Sequence, residues 1–103
     1  MAAIAGATYV VHLASPISGN FTTADEYIRP AVDGTMAVVR ACAQHGVRRC
    51  VITSSMAAMI NMPQEDKPAI FDESYWSVTE HDTYKIGNYG KSKTLAEKAA
   101  WDF

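Results

Sequence analysis

A chain of 103 residues, 49% hydrophobic and 19% charged, has the composition of an ordinary folded domain with room for one modest core, not of a disordered or fibrous chain. A net charge of −2, from nine basic and eleven acidic residues dispersed along the sequence, offers no electrostatic footprint for nucleic acid or an anionic membrane surface. No apolar run approaches the ~20 residues of a bilayer-spanning helix, and Met1-Ala2-Ala3 lacks the basic start and long apolar stretch of a signal peptide, so a reducing, cytoplasmic setting is the expectation.

The first predicted element covers residues 8–14, Thr-Tyr-Val-Val-His-Leu-Ala, a short apolar run rich in β-branched and aromatic residues between Gly6 and Ser15-Pro16. It reads as a buried parallel strand. Ser15, Ser18, Gly19 and Asn20 then form a loop at its carboxyl end, where ligands lie in open α/β sheets. His12 sits just before that edge, and a histidine so placed is more often a satisfied core residue than a catalytic one.

Thr23-Ala24-Asp25-Glu26 is a capping-box sequence and marks a helix start. Ile28, Val32, Met36, Val39 and Ala43 recur at spacings of four and three, which predicts one apolar stripe down to about His45. Pro30 falls inside this pattern, so either a kink or a later start is expected. Gly46 is the expected stop. Residues 47–53 resume strand character and end in Ser54-Ser55. Strand, helix, strand with a crossover of this length predicts parallel neighbours joined in the right-handed sense.

Between residues 56 and 82 periodicity is lost, and Pro63, Pro68 and the Gln64-Glu65-Asp66-Lys67 run mark a long excursion of the kind that forms lids or disordered segments. Within it, Trp76 is read as a packed anchor. A second helix is predicted over residues 83–103, capped by Asp82 or Thr83, with Leu95, Ala96, Ala99, Ala100 and Phe103 as its small-residue face. Gly87 and Gly90 weaken its first half and imply close approach of another group. Cys42 and Cys50 have neither C-x-x-C spacing nor clustered histidines, so both are read as buried small hydrophobes and no metal site is expected.

The chemistry-bearing stretch runs from Thr53-Ser54-Ser55 to Tyr89-Gly90-Lys91-Ser92-Lys93. Tyr89 and Lys93, four apart, share a helical face, and an ammonium beside a phenol favours the phenolate, which suits a proton donor. Alone, such a pair is weak, because any amphipathic helix produces it.

Five pieces in order carry a stronger signal: residues 10–16 (Val-Val-His-Leu-Ala-Ser-Pro), 31–35 (Ala-Val-Asp-Gly-Thr), 51–55 (Val-Ile-Thr-Ser-Ser), 71–77 (Phe-Asp-Glu-Ser-Tyr-Trp-Ser) and 89–98 (Tyr-Gly-Lys-Ser-Lys-Thr-Leu-Ala-Glu-Lys). Together they resemble the extended short-chain dehydrogenase/reductases of the epimerase/dehydratase superfamily, within them the dihydroflavonol-4-reductase and cinnamoyl-CoA-reductase branch. The resemblance implies an α/β fold, a partial Rossmann-type doubly wound parallel sheet represented here by two strands and two main helices. It implies Tyr89 as acid/base, Lys93 as its electrostatic partner and holder of the nicotinamide ribose, and Ser55 as hydrogen-bond donor to the substrate oxygen. Leu13, Ala14, Ser15, Thr53 and Ser54, with Tyr89 and Lys93, would contact the cofactor, NADP(H) by family habit with NAD(H) left open. A small carbonyl compound would be the substrate, reduced to an alcohol.

The six glycines contain no G-x-x-G-x-x-G pattern, the turn that seats a pyrophosphate on a helix N-terminus. Residues 1–103 are therefore read as the central fragment of an NAD(P)-binding domain, without its glycine-rich motif or its carboxyl-terminal substrate lobe. Both sheet faces and both edges are expected to be incompletely covered, so the isolated chain should be marginally folded, self-associating or aggregating. The alternatives are a sugar-nucleotide epimerase or 3-beta-hydroxysteroid dehydrogenase relative, sharing Ser, Tyr and Lys, and an inactive remnant acting only by association.

Overall fold

The computed structural model describes residues 2–17 and 19–103. Met1 and Ser18, the latter among the loop residues named above, lie outside them. Two strands, β1 (Tyr9–His12) and β2 (Arg49–Ile52), pair in parallel, Tyr9 opposite Arg49 through His12 opposite Ile52. Hydrogen bonds from Arg48 N to Thr8 O, 2.9 Å, and from Thr53 N to His12 O, 3.0 Å, extend the ladder by one residue at each end. Between them runs α1 (Ala24–Gln44), and α2 (Asn88–Asp102) closes the order. The α/β class expected of two parallel strands and two main helices is thus present.

Helix α1 begins where the capping box places it. The Glu26 carboxylate reaches back to accept the N–H groups of Thr22 and Thr23, satisfying donors that have no partner inside the helix. Those bonds hold the Glu26 carboxyl below its ordinary value. Pro30 lies within the helix without ending it. At the other end Gly46 adopts φ +64°, a conformation that costs any residue with a Cβ.

The buried stripe of α1 differs from the predicted one. Ala31, Thr35, Val38, Ala41 and Cys42 are buried, while Ile28, Val32, Met36 and Val39 are half-buried flanks and Ala43 is exposed. The reason is that α1 packs on the sheet and on α2 at once, so its smallest residues mark the line of closest approach and the larger ones fill the shoulders. Ile4, Val38, Ala41 and Cys42 form the core cluster, with Val10, Val47 and Cys50 against it. Both cysteines are free, and burial, with the neighbouring Cys42 thiol adding to it, pushes the Cys50 thiol up.

Both helices lie on the face carrying Val10, His12, Cys50 and Ile52. Extents of 48 × 33 × 19 Å fit this two-layer arrangement, one sheet and one helix layer of about 10 Å each. The opposite face is open: Tyr9 and Val11 are each 63% exposed and Val51 is 51% exposed. β1 is therefore half-buried on one side and open on the other, so neither face of the sheet is completely covered, as expected. An all-apolar run says that both sides are suited to burial, not that both are covered within these residues.

Two further differences concern the second half. Helix α2 starts at Asn88, with Gly87 as its cap, not at Thr83. The His81 ring accepts the N–H groups of Thr83 and Tyr84 at 3.2 and 3.0 Å, which gives those donors a local alternative to helix. The buried side of α2 is also polar and lies earlier than predicted: Gly90, Ser92, Lys93, Thr94 and Ala96 are buried, whereas Phe103 is 61% exposed. Ser92 and Thr94 are accommodated by donating to the carbonyls of Tyr89 and Gly90, both 2.7 Å.

The excursion after β2 is anchored, not loose. Short 3-10 turns occupy Met56–Ala58 and Gln64–Asp66. Ser77, 2% exposed, donates its hydroxyl to Ala57 O and accepts the Asn61 N–H, at 2.7 and 2.9 Å. This fastens the returning chain to the turn after β2. Close approach was expected at both helix glycines and occurs at one. A Cβ on Gly90 would lie 2.8 Å from Asn61 Nδ2 and 3.3 Å from Ile86, but one on Gly87 would meet nothing within 4 Å.

Two glycine replacements should consequently have opposite signs. Gly34, inside α1 with open space around it, should gain up to about 1 kcal/mol on conversion to Ala. Gly90→Ala should lose about 1–2 kcal/mol, because Asn61 is pinned by its 2.7 Å bond to Ala57 O and overpacking outweighs helix propensity. Urea midpoints of the two variants against the parent chain measure both.

Candidate active site at the carboxyl ends of the strands

A parallel pair sends both chains out of the sheet at the same edge, and here β1 exits into Ala14 and Ser15 while β2 exits into Thr53, Ser54 and Ser55. Helix α2 crosses this edge. Its Lys93 is 7% exposed and donates from Nζ to the Thr53 carbonyl at 2.9 Å. One turn on, Glu97 accepts the Ser54 hydroxyl and, through its other oxygen, the Trp101 indole N–H at 3.2 Å. Two consecutive strand-end residues are thus tied to two positions on one face of α2.

Below these ties lies a small cavity lined by His12, Ala14, Ser15, Thr35, Ile52, Thr53, Ser54, Lys93, Ala96 and Glu97. His12 Nε2 is 3.3 Å from Thr35 Oγ1, joining β1 to α1. Burial first, and then the Lys93 ammonium, push the His12 ring below its ordinary value. The ring is thereby kept neutral beside a buried cation.

Ser55 faces a second space, an open groove of about 360 Å³ that also includes Met56, Met59, Tyr75 and Trp76. Its Oγ accepts the Ala57 N–H at 3.1 Å, which leaves the hydroxyl proton free to donate. Trp76 is half-buried with the Lys98 Nζ 5.2 Å from its ring centroid, a cation–π distance. It acts as the anchor expected of it.

Of the residues singled out from the sequence, the structure therefore gathers Ala14, Ser15, Thr53, Ser54 and Lys93 around one cavity and sets Ser55 beside it. Tyr89 shares the face of Lys93 one turn earlier on α2, but among the described residues its hydroxyl bonds to neither Lys93 nor Ser55. Leu13 does not join the cavity. It is 67% exposed and follows Tyr9 and Val11 in the strand alternation. Three neighbours were not picked out as site residues, namely Thr35, Glu97 and, as more than a core residue, His12. The Lys-x-x-x-Glu spacing of Lys93 and Glu97 was the available signal, since i and i+4 share a helical face. Among the described residues no cluster of three His, Cys, Asp or Glu could hold a metal ion, and no helix is long and apolar enough to cross a membrane.

Comparison with known proteins gives this geometry its setting. A model of the 3-beta hydroxysteroid dehydrogenase/isomerase family matches residues 1–102. The chain is 43% identical to cinnamoyl-CoA reductase 2 of Medicago truncatula over 93 residues, covering 90% of this chain and 27% of that protein. It is 38% identical to an anthocyanidin reductase ((2S)-flavan-3-ol-forming) of Vitis vinifera, covering 99% and 32%. Among solved structures, the yeast methylglyoxal/isovaleraldehyde reductase Gre2, complexed with NADPH, superposes with a TM-score of 0.77 at 32% identity, covering 93% of this chain and 30% of that one. The chain thus spans under a third of the length of these relatives.

The neutral His12 has a measurable consequence. Its folded pKa lies below the ordinary value of 6.5, so the unfolded chain binds the proton more readily. Stability from this group is fully present above 6.5 and declines as pH falls through 6.5 toward the lower folded value. The His12→Gln variant should lose less stability than the parent chain between about pH 7.5 and about pH 5.5, as read by urea midpoints at the two values.

Proposed function

The chain belongs to the 3-beta hydroxysteroid dehydrogenase/isomerase family, and on that premise we propose that it is the nicotinamide-facing segment of an NAD(P)H-dependent oxidoreductase that reduces a ketone or aldehyde to an alcohol. The observation that carries this reading is the buried Lys93 ammonium held against the Thr53 carbonyl at 2.9 Å. It fixes the Tyr89–Lys93 face of α2 over the strand end that presents Ser55. The reductase relatives and the Asp72-Glu73-x-x-Trp76 loop favour this over an epimerase.

The residues present suit one half of a dinucleotide. Lys93 has two N–H donors beyond the one given to Thr53, and Ala14, Ser15 and Thr53 offer small side chains and backbone at the strand ends, where a flat ring and a ribose fit. The six glycines supply no turn for a pyrophosphate. When bound, a reduced nicotinamide supplies hydride to the carbonyl carbon. Tyr89 then gives its phenolic proton to the carbonyl oxygen, and Ser55 donates a hydrogen bond to that oxygen and orients it. Lys93 holds the ribose hydroxyls and places positive charge on the Tyr89 face. NADP(H) is the preferred cofactor, supported by the NADPH complex of the yeast reductase.

Trp76 beside the Ser55 groove and Trp101 on Glu97 are fluorescent reporters on the two sides of this site. Titrating the chain with NADPH and NADH at matched ionic strength should give saturable quenching with a preference for NADPH, weakened in Tyr89→Phe and lost in Lys93→Ala. A folded sample without response removes the reading and favours a remnant that works by association.

That second reading has its own support in the open sheet face of Tyr9, Val11 and Val51 and in the two unpaired strand edges of a two-stranded sheet. We infer that the isolated chain self-associates through them. Light scattering should show Val11→Lys/Val51→Lys to have a lower mean mass than the parent chain at equal concentration. An unchanged mass, or a parent chain already monomeric, sinks it.

A further inference from the structure

Lys93 and Glu97 are one turn apart on α2, within reach of a salt bridge, and Lys93 is buried, where its attraction to a carboxylate is little screened by water. Yet no ion pair forms between them, and among the described residues the salt bridge present is Lys91 with Glu80. The carboxylate is occupied elsewhere. One of its oxygens accepts the Ser54 hydroxyl and the other the Trp101 indole N–H.

We propose that Ser54 and Trp101 form a latch on Glu97 that keeps the carboxylate off Lys93 and, through Ser54, fixes the strand end that carries Ser55. Glu97 is a positioning residue in this scheme. It acts through Lys93, whose ammonium stays available, and through the backbone of Thr53–Ser55, which Lys93 and Glu97 grip at successive positions. The chemical use of the free ammonium rests on the oxidoreductase reading above, whereas the latch itself is a contact pattern that can be tested without cofactor. Trp101 is otherwise 77% exposed, so its indole contributes by this bond and not by burial.

The test uses the whole chain with ¹⁵N-labelled lysine side chains and ¹³C-labelled carboxylates, reading by NMR whether Lys93 Nζ couples through a hydrogen bond to the Glu97 carboxylate carbon. The parent chain should show no such coupling. Ser54→Ala should make it appear, Ser54→Thr, which keeps the hydroxyl, should not, and Ser54→Ala with Glu97→Gln should abolish it again. A merely structural role for Ser54 would lower stability without giving Lys93 a new partner. If Ser54→Ala does not fold, Trp101→Phe frees the other oxygen at an exposed position and should produce the same coupling. Coupling in the parent chain, or none in either latch variant, overturns the proposal. An NADPH titration run alongside separates the two ideas, with affinity expected to fall roughly tenfold where the latch is broken, as for loss of one charge-assisted bond. New coupling in a chain whose parent form never responds to NADPH upholds the latch and removes the oxidoreductase reading.

Discussion

The arrangement of the site follows from one constraint, a lysine ammonium buried under the sheet edge. A charge removed from water must find polar partners or lose its proton. Carbonyls where the strands end are among the backbone groups a parallel pair leaves unspent, because ladder bonds stop there. Thr53 supplies one at 2.9 Å. The bond ties α2 to the end of β2, and with the packing of α2 on α1 it helps to place what α2 carries on that face, Tyr89 before Lys93 and Glu97 after it. His12, neutral and tied to Thr35, completes the surroundings of the cation without adding a second positive charge.

This also accounts for the polar interior of α2. A helix chosen for stability alone would turn leucine and alanine inward, as the predicted face over residues 95–103 assumed. Instead the inward positions are Gly90, Ser92, Lys93 and Thr94, each satisfied locally. Ser92 and Thr94 return their hydroxyls to helix carbonyls, and Gly90 gives up a Cβ to let Asn61 pass. Departures from the apolar pattern are concentrated at the helix end that carries the candidate site, where such local conflicts are expected if the site is functional. The apolar cluster of Ile4, Val38, Ala41 and Cys42 lies apart from these polar positions, while Ala96 is buried beside them and lines the same cavity.

Legibility in the sequence divides along the same line. Elements with local signals were readable: the start of α1 from Thr23 and Glu26, its end at Gly46, and two parallel strands with an intervening helix, all seen in the structure. The strand-end and helix residues of the site were readable as a set, since Ala14, Ser15, Thr53, Ser54 and Lys93 do meet. What depended on tertiary contact was not. The start of α2 is decided by the His81 ring, the buried stripe of α1 by having two partners, and the roles of Thr35 and Glu97 by hydroxyl contacts across 23 and 43 residues of chain. Periodicity reports which side of an element is apolar, whereas these features turn on which neighbour arrives.

The long excursion after β2 shows how such contacts build a groove. Ser77 brings the chain back onto Ala57 and Asn61 by bonds of 2.7 and 2.9 Å, and the next residue repeats the attachment, Val78 N to Asn61 O at 2.7 Å. Closing the excursion at this point places Tyr75 and Trp76 opposite Ser55, and the Lys98 contact with Trp76 ties that wall to α2. Removing the Ser77 hydroxyl would leave the Asn61 N–H without its acceptor in a half-buried position, a penalty of about 1–3 kcal/mol. The same hydroxyl therefore shares with the backbone bonds of Ser77 and Val78 the closing of the loop that carries the aromatic wall of the groove.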